Sequence, residues 1–169
     1  MSMDTSPLHS VLDARERRYL DRRERERDLG RPGVLVEVTL NVPGWPKGGP
    51  PFTGVFRAGM RAVAAALGQG PVDARFDAAG HYALFCSELP ARDVKRAMCR
   101  VEEQAPWARL LDVDCHGAGG KLSRESVGAA PRRCFLCAAP HESCIRSRRH
   151  SPEALRAAAE RLAEGAPCG

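Results

Sequence analysis

Apolar and polar positions change period several times along the chain, and each change marks an element. Residues 7–29 place Leu8, Val11, Leu12, Tyr19 and Leu20 at helical spacing, which predicts a helix with an apolar stripe. Ser6 or Ser10 is positioned to cap it, and Gly30-Arg31-Pro32-Gly33 stops it. Residues 34–42 are apolar, rich in β-branched side chains and bounded by Gly and Pro, the pattern of a strand. A Gly/Pro-dense loop follows over 43–51. A second helix then runs from about Thr53 to Leu67 with Val55, Phe56, Met60, Val63, Ala64 and Leu67 inward. Residues 72–76 and 81–86 read as strands joined by Asp77-Ala78-Ala79-Gly80, a hairpin. A third helix starts at Pro90 or Asp93 and reaches about Gln104. Residues 110–115 form an acidic strand, and 121–127 is expected to return as its hairpin partner. Residues 131–150 read as irregular. Ser151, Pro152 and Glu153 open a last helix, as N-cap, first position and first turn.

The order of elements is α, then β-α-β-β-α-β, then β and α. This predicts an α+β fold in one domain spanning 1–169. Its parts are an N-terminal helix (7–30), an α/β core with the acidic strand (34–127), a Cys/His/Arg segment (131–150) and a C-terminal helix (151–164). The middle is the split β-α-β order of an antiparallel ferredoxin-like sheet. That order puts two helices on one sheet face, leaves the other available and makes the acidic strand a central one.

Composition narrows the class. A chain of 169 residues with 43% hydrophobic content can bury a real core, and 5% aromatic content makes that core lean on Ala, Val and Leu. Net charge is +5, with 3 Lys among the 26 basic residues. This suits an anionic ligand or an acidic partner and falls short of a dedicated nucleic-acid binder. From Asp13 to Arg31, eight arginines and six acids alternate at helical reach, the pattern of a solvated, ion-paired helix face. The start of the chain lacks the basic and apolar regions of a signal peptide, and no run is long enough to span a membrane. A cytoplasmic location and reduced thiols are therefore expected for the seven cysteines.

Two clusters carry candidate chemistry. Asp112 and Asp114 stand at i and i+2, so a strand sends both carboxylates to one face, where they can hold Mg²⁺. The plain alternative is a pair of surface carboxylates beside a turn. A third carboxylate is left open among Glu37, Glu88 and Glu125. Lys121, Arg124, Arg132, Arg133 and Arg146 are the cations expected to hold a phosphorylated substrate near the pair. Cys134, Cys137, Cys144 and His150 follow the spacing of a zinc knuckle. Four protein ligands would leave no open position, so that zinc would be structural; the alternative is buried cysteines with an ordinary histidine. His81, His116 and His141 read as exposed strand-end or turn histidines. No G-x-x-x-x-G-K-[ST] phosphate loop is present.

The runs Arg-Leu-Leu-Asp-Val-Asp (109–114) and Pro-Arg-Arg-Cys-Phe-Leu-Cys (131–137), with Cys144-Ile145-Arg146 and His150, resemble the CitX family. Leu12-Asp13-Ala14-Arg15-Glu16-Arg17-Arg18 resembles that family's opening helix, and the resemblance runs from about Val11 to Leu162. It implies an apo-citrate lyase phosphoribosyl-dephospho-CoA transferase, or holo-citrate-lyase synthase. Such an enzyme takes 2′-(5″-triphosphoribosyl)-3′-dephospho-CoA as donor and Mg²⁺ as cofactor. It modifies a serine of the citrate lyase acyl carrier protein, the γ subunit, and releases diphosphate. The carrier brings the nucleophile, so the enzyme needs none. A reading from a different class is a zinc-stabilised, non-catalytic module that binds RNA or an acidic protein. Catalysis requires the acidic pair in a concave site facing arginines; a binding module leaves it on the far side.

Overall fold

The structure is a computed structural model that describes residues 7–29, 33–137 and 139–167. Ser6, the helix stop at 30–32 and Cys168 lie outside the described residues. The fold is α+β. Helix α1 (Pro7–Leu29) precedes β1 (Val34–Leu40), α2 (Pro50–Leu67), β2 (Asp73–Asp77), β3 (Gly80–Ser87) and α3 (Ala91–Glu103). A 3-10 turn (Pro106–Leu110) leads into β4 (Leu111–Gly117), then β5 (Gly120–Lys121), a second 3-10 turn (Glu125–Val127), α4 (His141–Ser147) and α5 (Pro152–Glu164). The five strands form one open sheet in the order β2-β3-β1-β4-β5, and every neighbouring pair is antiparallel.

One face of the sheet makes the main core. Val34, Val36 and Val38 of β1, Ala83 and Phe85 of β3 and Leu111, Val113 and Cys115 of β4 pack with Phe52, Val55 and Val63 of α2 and Val94 and Met98 of α3. Ala159 and Ala163 of α5 close the layer. The fit is tight where α2 crosses β4: a Cβ on Gly59 would run into the Leu111 side chain, which would have to shift. Pro at the first turn starts α2 and α5, and the Ser151 hydroxyl accepts the Ala154 amide at 3.1 Å.

The opposite face is not left open, as the split order had suggested, because α1 lies over it. Leu35, Tyr82 and Leu84 are buried there, with Leu29 against them. Of the stripe read from the sequence, Val11 alone points inward. Leu8, Leu12, Tyr19 and Leu20 are exposed, and the buried positions are Val11, Ala14 and Arg18. The reason lies in the sheet beneath. This face of β1 and β4 carries Glu37, Thr39, Asp112, Asp114 and His116, and α1 turns arginines towards it. Arg18 donates to Asp77 Oδ1 and Oδ2 at 2.5 and 2.9 Å and to the Gly80 carbonyl at 2.6 Å, pinning α1 to the β2–β3 hairpin.

Two local expectations are corrected. The partner of the acidic strand is two residues long, since the chain leaves the sheet after Leu122 N bonds Cys115 O at 2.8 Å. It runs instead over α3, where Arg124 pairs with Glu102 at 2.6 Å and with Glu103. The segment 131–150 is not wholly irregular: α4 stands within it and ends at Arg148, whose φ of 45° reverses the chain.

Candidate functional site

The register of β1 and β4 builds an acidic patch. Asp114 stands directly across from Glu37, and Asp112 across from Thr39, so all four side chains share the face under α1. Of the three carboxylates left open by the sequence, Glu37 is the one that shares this face; Glu88 lies exposed beyond β3 and Glu125 exposed in the second 3-10 turn. Burial raises the Glu37 carboxyl above its ordinary value even though Arg22 Nε lies 3.2 Å away. Lys121 donates to Asp114 Oδ2 at 2.7 Å. Burial opposes charge on Lys121, but that bond, with Asp114, Asp112 and Glu37 nearby, outweighs it and raises the ammonium pKa.

Above the carboxylates α1 supplies cations. A cavity of about 340 Å³ has Glu37, Asp112 and Asp114 on its floor, Arg15, Arg18, Tyr19 and Arg22 on the helix side, and Lys47 at one end. The candidate list from sequence omitted these basic residues. The signal was present, because Arg15, Arg18 and Arg22 stand at i, i+3 and i+7 and share one helix face. Lys47 donates to the Val42 carbonyl at 2.9 Å, and burial, then Arg15 and Arg156, lower its pKa. His116 and His81, expected to be exposed, are both buried. Burial first and Arg22 second press His116 down to about 4, and Arg22 Nη1 lies 3.3 Å from its Nδ1. The neutral ring packs between Arg22 and the carboxylates.

The Cys/His segment approaches the acidic pair from the other side. The ligand atoms of Cys134, Cys137, Cys144 and His150 all lie within 4.8 Å of one another. Cys137 Sγ is 3.3 Å from Cys144 Sγ and 3.4 Å from His150 Nε2. Tetrahedral zinc with Zn–S bonds near 2.3 Å asks for sulfur atoms about 3.8 Å apart, so this cluster can hold a metal and zinc suits its donor set. The His150 hydrogen bond pulls Cys137 down to about 6, favouring the thiolate a metal needs, while the shared bond with Cys137 pushes Cys144 up to about 11. Antiparallel bonds from Cys134 N to Ala139 O (3.0 Å) and His141 N to Arg132 O (2.8 Å) fold the knuckle.

The knuckle delivers Arg132. Its Nη1 donates to Asp112 Oδ1 at 2.7 Å, and its Nη2 to the Arg109 carbonyl at 3.1 Å and to the Leu111 carbonyl. Of the other cations named from sequence, Lys121 joins this group through Asp114. Arg133 and Arg124 line a separate, larger cavity beside the knuckle, where Arg124 is held by Glu102 and Glu103. Arg146 is exposed on α4, outside both cavities. The arrangement gathers three carboxylates and several cations in one concave site.

Comparison with known proteins identifies the family. Residues 6–166 match the model of the family CitX: Apo-citrate lyase phosphoribosyl-dephospho-CoA transferase. A protein of Streptococcus pyogenes serotype M18, named "Probable apo-citrate lyase phosphoribosyl-dephospho-CoA transferase", is 31% identical over 162 residues, covering 92% of this chain and 84% of its own length. One of the same name from S. pyogenes serotype M5 is 30% identical over 168 residues, covering 95% and 87%. A third, from Vibrio cholerae serotype O1 strain M66-2, is 33% identical over 141 residues, covering 79% of each. With nearly its whole length matched, the chain belongs to the CitX family of apo-citrate lyase phosphoribosyl-dephospho-CoA transferases.

Proposed function

We propose that this chain attaches the 2′-(5″-phosphoribosyl)-3′-dephospho-CoA prosthetic group to a serine of the citrate lyase acyl carrier protein. The donor is the 5″-triphosphoribosyl compound. The serine Oγ attacks the phosphorus attached to the ribose 5″-oxygen, the bond from that phosphorus to the bridging oxygen breaks, and diphosphate leaves. The serine proton passes to solvent or to a carboxylate of the site. The observation that carries this reading is the acidic trio of Glu37, Asp112 and Asp114 beneath Arg15, Arg22 and Lys47 in one cavity.

Asp112 and Asp114, with Glu37 opposite, would hold Mg²⁺. Their hard oxygens on one face fit that ion. Bound Mg²⁺ would neutralise the charge that builds on the phosphoryl oxygens. Arg132 orients Asp112 and is our choice for the diphosphate clamp. Lys121 partners Asp114, and Arg15 and Lys47 face the phosphates from the opposite wall. The Cys134/Cys137/Cys144/His150 zinc has a structural role. Its thiolates suit a reducing, cytoplasmic setting, and among the described residues no helix is long and apolar enough to cross a membrane. We also read β2-β3-β1-β4 as the split β-α-β order of a ferredoxin-like sheet, extended by β5 at the β4 edge.

The RNA- or acidic-protein-binding module is disfavoured by the carboxylates, which share the concave site with the arginines. Transfer assays on Asp112→Asn and Asp114→Asn test the enzyme reading. Metal-dependent transfer should fall by about three orders of magnitude or more, because charge terms carry this chemistry. Thermal stability should stay level or rise as like charges are relieved. Near-wild-type turnover in both variants would overturn the assignment.

A further inference from the structure

The larger cavity, about 850 Å³, lies between the end of α3, the first 3-10 turn and the knuckle. It is separate from the carboxylate cavity, yet the two meet. Asn41 lines both, and Arg132, on the wall of the larger, holds Asp112 of the smaller at 2.7 Å. Its volume fits a small organic ligand and is more than phosphate needs.

The lining has three parts. Phe135 and Leu136 provide an apolar surface, and Leu136 is left 38% exposed in the cleft, where a ligand that covers it regains the cost of hydration. Arg109 stands with its guanidinium 5.9 Å from the centroid of the Phe135 ring. Hydrogen bonds to the carbonyls of Cys134 (2.7 Å) and Arg133 (3.4 Å) fix that guanidinium in advance, so a flat ring can lie against it or the phenyl group at little entropic cost. Gln104, at the C-terminal end of α3, lines the same cavity. A carboxamide pairs bidentately with the amino group and ring nitrogen of adenine, which a simple apolar pocket cannot match.

We infer that this cavity binds the adenine end of the donor, stacked against Phe135 and Arg109 and read by Gln104, with the polyphosphate end passing Asn41 to the carboxylate cavity. The inference rests on the proposed transferase reading. In the donor, two ribose rings separate adenine from the triphosphate, which suits two adjoining cavities. The pantetheine arm then runs outward.

Calorimetric titration of the wild-type protein with 3′-dephospho-CoA, adenosine monophosphate and 4′-phosphopantetheine tests the placement. Dephospho-CoA should bind, adenosine monophosphate should compete with it, and phosphopantetheine should not. Leu136→Asp and Gln104→Leu, both at exposed positions, should each weaken dephospho-CoA binding about tenfold or more. Competition by phosphopantetheine alone, or wild-type affinity in both variants, overturns the cavity assignment while the transferase reading stands. Absence of dephospho-CoA binding to the wild type overturns the cavity and its donor class, whereas transfer to the carrier would still be measurable by mass.

Discussion

Arg132 donates to Asp112 and to two backbone carbonyls, and its own carbonyl accepts from His141 in the folded knuckle. Such a set needs a planar fork, which lysine does not have. Arg132→Lys is therefore expected to lower turnover by about tenfold or more and to weaken inhibition by added diphosphate, with carrier affinity nearly unchanged. Steady-state kinetics with diphosphate as inhibitor measures this. If the variant loses carrier affinity alone, and loses more at high salt, the arginine faces the carrier and not the leaving group. Its carboxylate partners are Asp112 and, at 3.7 Å, Glu102.

At the scale of elements, α1 is a helix whose polar side faces the protein. The Arg18–Asp77 pair, largely buried, links it to the hairpin. Burial raises the Asp77 carboxyl, but hydrogen bonds from Arg18 and the Ala79 amide outweigh it and hold it below the ordinary value. A carboxylate held low contributes stability that is full above the ordinary value, near 4, and is lost as pH falls below it. Asp77→Asn should cost roughly 3 kcal/mol at neutral pH, and the gap to wild type should narrow as pH drops below about 4. Chemical denaturation across that range measures it; a gap constant with pH would show the pair to be unimportant. The elements themselves were legible because each has a clear period and clear stops. Residues 7–29 gave a helix, but not its inward side, since the leucines suggested an apolar contact where the sheet offered carboxylates. Glu37 could not be chosen from sequence because the β1–β4 register joins residues 77 positions apart, and register is a tertiary fact. The short β5 was missed because Arg124 leaves the sheet to meet Glu102, again a contact distant in sequence.

Across the whole molecule, two devices converge on β4: α1 brings cations from one side and the knuckle brings Arg132 from the other. The knuckle was legible since its four ligands lie close in sequence with zinc-like spacing. Reduced protein purified without chelators should contain about one zinc per chain by elemental analysis. Cys144→Ser should lose it, melt at lower temperature and transfer more slowly because Arg132 is released. A metal-free wild type would contradict the structural role assigned to the cluster.

If this site joins a phosphoribosyl-dephospho-CoA unit to a carrier serine, the product carries a mass that no other modification shares. Intact-mass analysis of citrate lyase acyl carrier protein, incubated with this enzyme, the triphosphoribosyl donor and Mg²⁺, tests it most directly. The carrier should become heavier by one phosphoribosyl-dephospho-CoA group, with one diphosphate released per carrier, and a carrier with the acceptor serine replaced by alanine should not change. A carrier of unaltered mass, or an equal mass gain on the alanine carrier, would contradict it.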